Sequence, residues 1–247
     1  MAATTAITQS DRGDRLLARQ GRKGRRRPRS ATTLLSIGFG VALIGLALPR
    51  LAGEGMLLAA RDGLLSATNP PAAQDLPVIA GQLTQAARLS LLAPAFAEAG
   101  TTWLRLSQQD RQAGPAALQA AAQALGHSLA LAPAEPLVWY RLSYAAYQLG
   151  RWEEAAHAWR MAVRTGAFDP QMMEYRLTLG FTLWPHMDAA DRSALGHQLV
   201  TFWSWGPGRV SEVTERDSAR AIVRQVLADR PDIVADIERR IALRQGN

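Results

Sequence analysis

Glu153 and Glu154 are adjacent carboxylates, and a pair of carboxylates can supply the acid and the base of a proton-transfer reaction. They stand where a helix is predicted to begin, and acidic side chains in a first helical turn interact favourably with the helix dipole. Their spacing implies no partner acid or base. We therefore interpret this pair as structural, not catalytic.

The other reactive side chains also lack a context for chemistry. Ser204 is outside any nucleophile-elbow pattern, and no glycine-rich phosphate loop occurs. The absence of cysteine excludes disulfides, iron–sulfur clusters and thiolate zinc sites. The histidines do not have the spacing of metal ligands; they are His127, His157, His186 and His197. The sequence predicts no catalytic residue, no cofactor and no metal site, so we expect a protein that is not an enzyme.

Three tyrosines have the spacing of a single helical face. Tyr140, Tyr144 and Tyr147 follow the i, i+4, i+7 pattern, and Arg141 lies beside them. Such a stripe can hold a peptide or a helix through ring contacts and hydrogen bonds, or a sugar chain through the ring faces. Aromatic stripes at this spacing also pack commonly against neighbouring helices. Both interpretations stay open at this point.

The chain that carries this stripe is predicted to be all-α. From about residue 75 onward, apolar residues recur with helical spacing, and strand and hairpin patterns are almost absent. With 48% hydrophobic residues, the 247-residue chain is long and apolar enough to bury a core.

Residues 136–166, PLVWYRLSYAAYQLGRWEEAAHAWRMAVRTG, resemble one repeat of the tetratricopeptide (TPR) family. Gly150 matches the turn between the two helices of the repeat, where a left-handed cap is expected. The small residues would let the helices cross closely while tryptophans fill the space between them. The helix positions that match the family pattern are Trp139, Leu142, Ala155, Trp159 and Ala162.

Less regular repeats flank this one. Residues 118–136 resemble the end of a preceding repeat, whose first helix includes Trp103 and Leu106 and is followed by an inserted loop over 108–115. A third, degenerate repeat begins at Asp169, with Arg176 and Gly180 where the family carries Leu and Tyr. The resemblance therefore implies a TPR-like α-solenoid over residues 75–205, with capping helices over 206–247.

In the TPR family, the first helices of successive repeats line a concave groove that binds a partner. The resemblance thus implies a partner-binding groove on the helix that carries the tyrosines. The groove residues by this criterion are Leu137, Tyr140, Arg141, Tyr144, Tyr147 and Gln148.

A membrane-spanning helix is predicted over residues 31–49. Thr32 to Leu48 is a run of 17 residues without a charge, and a bilayer core of roughly 30 Å takes about 20 helical residues. Residues 1–30, predicted to be a disordered tail, carry nine basic and two acidic side chains. By the positive-inside rule this tail is cytosolic. A cleaved signal peptide is the alternative, although Gly45-Leu46-Ala47 makes a poor cleavage site inside the apolar run.

The rest of the chain is electrically balanced. Residues 31–247 contain 19 basic and 19 acidic side chains, so the net charge of +7 belongs to the tail and nucleic-acid binding is not expected. A juxtamembrane connector is predicted over 50–74, since Asn69-Pro70-Pro71 halts regular structure. Small residues at Ser36 and Gly40 could let two membrane helices approach as a homodimer.

These features together predict a membrane-anchored scaffold or adaptor that binds another envelope protein. The expected location is a bacterial inner membrane, with the helical domain in the periplasm. Residues 176–184 and the Asp-started helix over 188–203 are similar to parts of small membrane-anchored helical-repeat proteins of proteobacteria. That resemblance implies an alternative function, a carbohydrate-binding accessory factor in surface-polysaccharide assembly or export.

Overall fold

The computed structural model describes residues 29–65, 71–72 and 74–246, so the basic tail lies outside the described residues. The described residues are helical, as the all-α prediction requires, and contain no strand. They form two units that divide between Leu46 and Ala47. The helices are α1 (Arg29–Leu65), α2 (Leu76–Ser90), α3 (Ala93–Gln109), α4 (Gly114–Leu131), α5 (Pro136–Gln148), α6 (Trp152–Thr165), α7 (Pro170–Leu183), α8 (Ala189–Trp205), α9 (Pro207–Val213), α10 (Asp217–Val226) and α11 (Pro231–Gln245).

The first unit contains the apolar part of α1. Thr32–Leu64, which begins in this unit, is long and apolar enough to cross a membrane. The large apolar side chains from Leu34 to Leu46 are exposed, with Leu35 at 73% and Leu46 at 71%. A helix that is apolar all round and not covered by protein is suited to hydrocarbon, because its backbone amides are already satisfied internally.

The second unit begins with the remainder of α1, which packs against the domain. The connector predicted from residue 50 is helical as far as Leu65, because a buried stripe at Gly53, Leu57 and Ala60 holds this segment in place. Leu57 and Ala60 share an apolar cluster with residues of α2 and α3. The Arg61 guanidinium forms a bidentate ion pair with the Glu98 carboxylate of α3, and its Nε lies 2.8 Å from Oε2.

Helices α3 to α6 pack mainly as consecutive pairs, α3 with α4 and α5 with α6. The α3–α4 crossing is close because Gly100 has no side chain there; a Cβ at this position would lie 2.6 Å from Leu125 Cγ. The loop between these two helices is shorter than the predicted 108–115, since α3 continues to Gln109 and α4 begins at Gly114.

The turn between α5 and α6 has the predicted left-handed cap. Gly150 has a φ of 72°, a conformation that costs glycine little because it lacks a Cβ. The amide of Gly150 donates to Tyr147 O, and that of Arg151 donates to Ala146 O. These two bonds satisfy carbonyls left free at the end of α5, as in a Schellman motif.

Arg176 and Gly180, the two residues that depart from the family pattern in the predicted third repeat, lie against Trp159, which is fully buried. Its indole N–H donates to Arg176 O over 2.7 Å. Gly180 leaves room for the ring, because a Cβ there would lie 3.1 Å from Trp159 Cζ2. The Arg176 side chain is also fully buried, and its Nη1 donates to the Ala162 and Gly166 carbonyls near the end of α6. Burial lowers the pKa of this guanidinium.

The last helices close the second unit. The sequence predicts one helix over about 210–229; the structure has two, α9 and α10, separated by Thr214 to Arg216. The Thr214 hydroxyl donates to Val210 O where α9 ends. Pro231 begins α11, a position at which its missing amide is harmless. Ile233, Ile237 and Ile241 of α11 are buried in the largest apolar cluster.

Candidate functional site

The tyrosine-bearing face belongs to α5, whose opposite face is fixed in the core. Pro136 begins the helix, and Val138, Leu142 and Ala145 are buried. The Ser143 hydroxyl, also buried, donates to Ala155 O of α6 over 2.7 Å. These contacts set the rotation of α5 and leave its tyrosine face toward α3 and α7.

A cavity of about 300 Å³ lies between α3 and α5. Its size is at the lower end of the range for ligand pockets. The lining comes from one face of each helix: Thr101, Leu104, Arg105 and Gln108 on α3, and Tyr140, Arg141 and Tyr144 on α5.

Three of the six predicted groove residues therefore meet in this cavity, namely Tyr140, Arg141 and Tyr144. The other three do not line it. Leu137 is 37% exposed, and Gln148 is also exposed. The ring of Tyr147 instead contacts the edge of Trp152, with 5.5 Å between centroids.

Two of the three tyrosines lie between the core and the cavity. Tyr140 and Tyr144 are half-buried and pack against the apolar core, yet each also lines the cavity. Burial raises the pKa of Tyr140, and the neighbouring Tyr144 and Tyr175 raise it further. The Tyr140 hydroxyl thus stays protonated at neutral pH and can donate a hydrogen bond.

The charge in this cavity is positive and uncompensated. Arg105 and Arg141 both line it, and the lining contains no carboxylate. Within the part of the chain that the structure describes, neither guanidinium has an ion-pair partner. Burial lowers the pKa of Arg141, the effect expected for a charge removed from water without a counter-charge.

A larger cavity, of about 660 Å³, lies among α7, α9 and α10 and differs in its charge. Three glutamates line it, but two of them have partners. Glu174 is 3.1 Å from Arg209, and Glu212 is 3.0 Å from Arg244. Most of its acidic charge is therefore neutralised internally.

The α3 residues of the smaller cavity were missed by the sequence prediction. Arg105 lies 36 residues before Arg141, the same separation as Trp103 from Trp139. The period of about 34 residues used in the sequence prediction does not relate Arg105 to Arg141, because their separation is 36. A count of 36 residues, anchored on the two tryptophans, relates Arg105 to Arg141 and Gln108 to Tyr144 as equivalent positions of the predicted repeats.

The residues considered for chemistry lie apart from this cavity. Glu153 and Glu154 are exposed in the first turn of α6. His186 stacks on Trp152, with 4.9 Å between ring centroids and 9° between their planes. Among the described residues, no group of three or more His, Asp or Glu side chains is placed to hold a metal ion.

Comparison with known proteins adds no family. No protein-family model matches the chain, and no curated protein matches it in sequence.

Proposed function

We propose that this chain is a non-catalytic, membrane-anchored adaptor whose TPR-like helical domain binds another protein of the bacterial envelope. The observation that carries the proposal is the cavity between α3 and α5, where aromatic, cationic and hydroxyl side chains of the two helices converge. Binding hot spots commonly consist of such tyrosine and arginine clusters.

The anchor is the apolar part of α1. Its exposed side chains and its length favour a single membrane pass. The basic tail before it favours a cytosolic amino terminus and a periplasmic domain. An anchored domain meets membrane partners at a raised effective concentration, which makes a modest groove affinity sufficient.

Site-specific crosslinking in the native envelope tests the adaptor function. A photoreactive residue replaces Tyr144, and captured species are identified by mass spectrometry. We expect one defined envelope protein, whose capture is lost with Tyr140→Ala. The matched control places the photoreactive residue at His157, an exposed position on α6 that does not line the cavity. Capture of the same protein at both positions, or of no protein at Tyr144, would refute the proposal.

The second candidate, a carbohydrate-binding accessory factor, is favoured by one exposed ring. Tyr175 of α7 is 58% exposed and lies 6.3 Å from the Tyr140 ring, centroid to centroid. Exposed aromatic faces are what a sugar ring needs for stacking. Retardation of the full chain in gels that contain envelope polysaccharide, lost with Tyr175→Ala, would support this function over the adaptor.

A further inference from the structure

We infer that the cavity between α3 and α5 binds a carboxylate, supplied by an aspartate or glutamate side chain in an acidic segment of the partner protein. This inference rests on the proposed adaptor function and specifies the chemistry of its ligand. It depends on the two cavity arginines, Arg105 and Arg141, and on the polar groups around them.

The two cavity arginines indicate the charge of the ligand. Arg105 and Arg141 are each partly buried, and neither pairs with a carboxylate of the described chain. Elsewhere in the same unit, Arg61 and Arg160 pair with the carboxylates of Glu98 and Asp191, and the buried Arg176 donates to backbone carbonyls. A partly buried cation is stabilised by an anion at close range. The cavity is therefore complementary to a negative ligand.

The other polar groups around the cavity can act as hydrogen-bond donors. The hydroxyls of Tyr140 and Tyr144 and the side-chain amide of Gln108 line it with the two guanidiniums. The Thr101 hydroxyl also lines the cavity, but it donates its hydrogen to Ala97 O. Ionised carboxylates only accept hydrogen bonds, so this set suits them well. In the acidic cavity among α7, α9 and α10, by contrast, Glu174 and Glu212 already pair with Arg209 and Arg244.

The environment of the tyrosines favours a polypeptide over a glycan as the source of the carboxylate. The Tyr140 and Tyr144 rings pack partly into the core, which leaves less ring face free for a sugar. A cavity of about 300 Å³ has room for a side chain and its flanking backbone, and the surface continues beyond it along α5 to the exposed Leu137. An extended acidic segment fits this shape.

A crosslinking assay with a defined peptide tests the inference. The full chain in detergent carries a photoreactive residue at Gln108, on the exposed rim, and is exposed to fluorescein-labelled hexaglutamate. Because the photoreactive residue lies at the cavity, peptide that binds only to the basic tail is not crosslinked and does not contribute to the signal. We expect Arg105→Gln and Arg141→Gln each to raise the peptide concentration at half-maximal crosslinking about tenfold. This corresponds to the loss of one charge-assisted hydrogen bond of about 1.4 kcal/mol.

The matched control is Arg164→Gln, which removes an exposed arginine of α6 that does not line the cavity. This variant should crosslink like the parent, and hexaglutamine should not compete. Circular dichroism checks that each variant is folded. Equal crosslinking in the parent and Arg141→Gln, or no crosslinking at all, would overturn the inference. So would displacement of the labelled peptide by polygalacturonate at a lower carboxylate concentration than polyglutamate requires.

These outcomes separate the inference from the adaptor function. Suppose that a defined envelope protein is captured at Tyr144 and is still captured when both arginines are replaced by Gln. This result would support the adaptor function and overturn the inference that the cavity binds a carboxylate. Hexaglutamate crosslinking that depends on the arginines, without any protein captured in the envelope, would support the carboxylate site and refute the adaptor function.

Discussion

Gly53 is the point at which α1 touches the backbone of α2, and replacing it with alanine tests how this helix is attached. A Cβ at Gly53 would lie 2.8 Å from Ser90 N and 2.9 Å from Ala86 O. These contact atoms belong to the backbone and cannot rotate away. Gly55, two residues later on the same helix, provides the matched control, because a Cβ added there would meet no atom within 4 Å.

The two substitutions share one energy term and differ in another. Alanine in place of a helical glycine stabilises the helix by about 1 kcal/mol at either position. Overpacking against fixed atoms destabilises by up to about 3 kcal/mol, and only Gly53→Ala incurs it. We expect Gly53→Ala to lower the free energy of unfolding by about 2 kcal/mol and Gly55→Ala to raise it by about 1 kcal/mol.

Thermal unfolding of the full chain in detergent, followed by circular dichroism, measures this difference. For a domain of about 200 residues, 1 kcal/mol shifts Tm by about 2 to 4 °C, so the variants should melt about 6 to 12 °C apart. Hydrogen exchange should show faster exchange over residues 53–64 in Gly53→Ala alone. Melting within about 2 °C of each other, with equal protection, would refute the attachment of α1 through this contact.

Three further predictions concern charged groups. Arg141→Met should raise the free energy of unfolding by about 1 kcal/mol in urea, because it removes a partly buried charge that has no partner in the described chain. Asp191→Ala should lower it by about 2 to 3 kcal/mol, since the nearly fully buried Asp191 binds Arg160 and also completes the capping box of α8. The urea concentration at the unfolding midpoint should decrease as the pH is lowered below about 4. Hydrogen bonds and cations lower the pKa values of Asp188 and Asp236, and the stability that comes from a lowered carboxylate pKa is lost as that group protonates.

Each of these predictions has its own control. Arg164→Met, at an exposed site, should leave the urea midpoint unchanged, and a destabilised Arg141→Met would contradict the desolvation argument. Asp191→Ala should lower stability more than Asp217→Ala, since the Asp217 carboxylate is 91% exposed in its ion pair with Arg220. A urea midpoint that stays constant from pH 5 to pH 2.5 would show that the paired aspartates do not contribute to the acid sensitivity.

Features set by neighbouring residues could be predicted from the sequence. Gly150 at the end of α5, Asp188 as the cap of α8 and Pro231 at the start of α11 are each recognised from a few residues of context. The all-α class follows from the periodicity of apolar residues in the same way.

Features set by distant contacts could not be predicted. Residues 50–65 have the composition of a connector, and they are helical because Gly53 and Leu57 are held against α2 and α3. Arg176 stands where the family carries Leu, and the sequence does not show that carbonyls at the end of α6 accept hydrogen bonds from its Nη1. The spacing of the two tryptophans relates Arg105 to Arg141, but only the packing of the helices shows that both line one cavity.

The buried stripe of α1 determines where the chain can be shortened. A fragment that starts just before Gly53 keeps Leu57 and Ala60 over the first apolar cluster and should be a soluble, folded species once the apolar segment is removed. A fragment that starts at residue 71 would uncover Leu83 and Ala87 on α2, an apolar surface prone to aggregation. The residues that follow the predicted membrane span thus belong to the domain as its first structural layer.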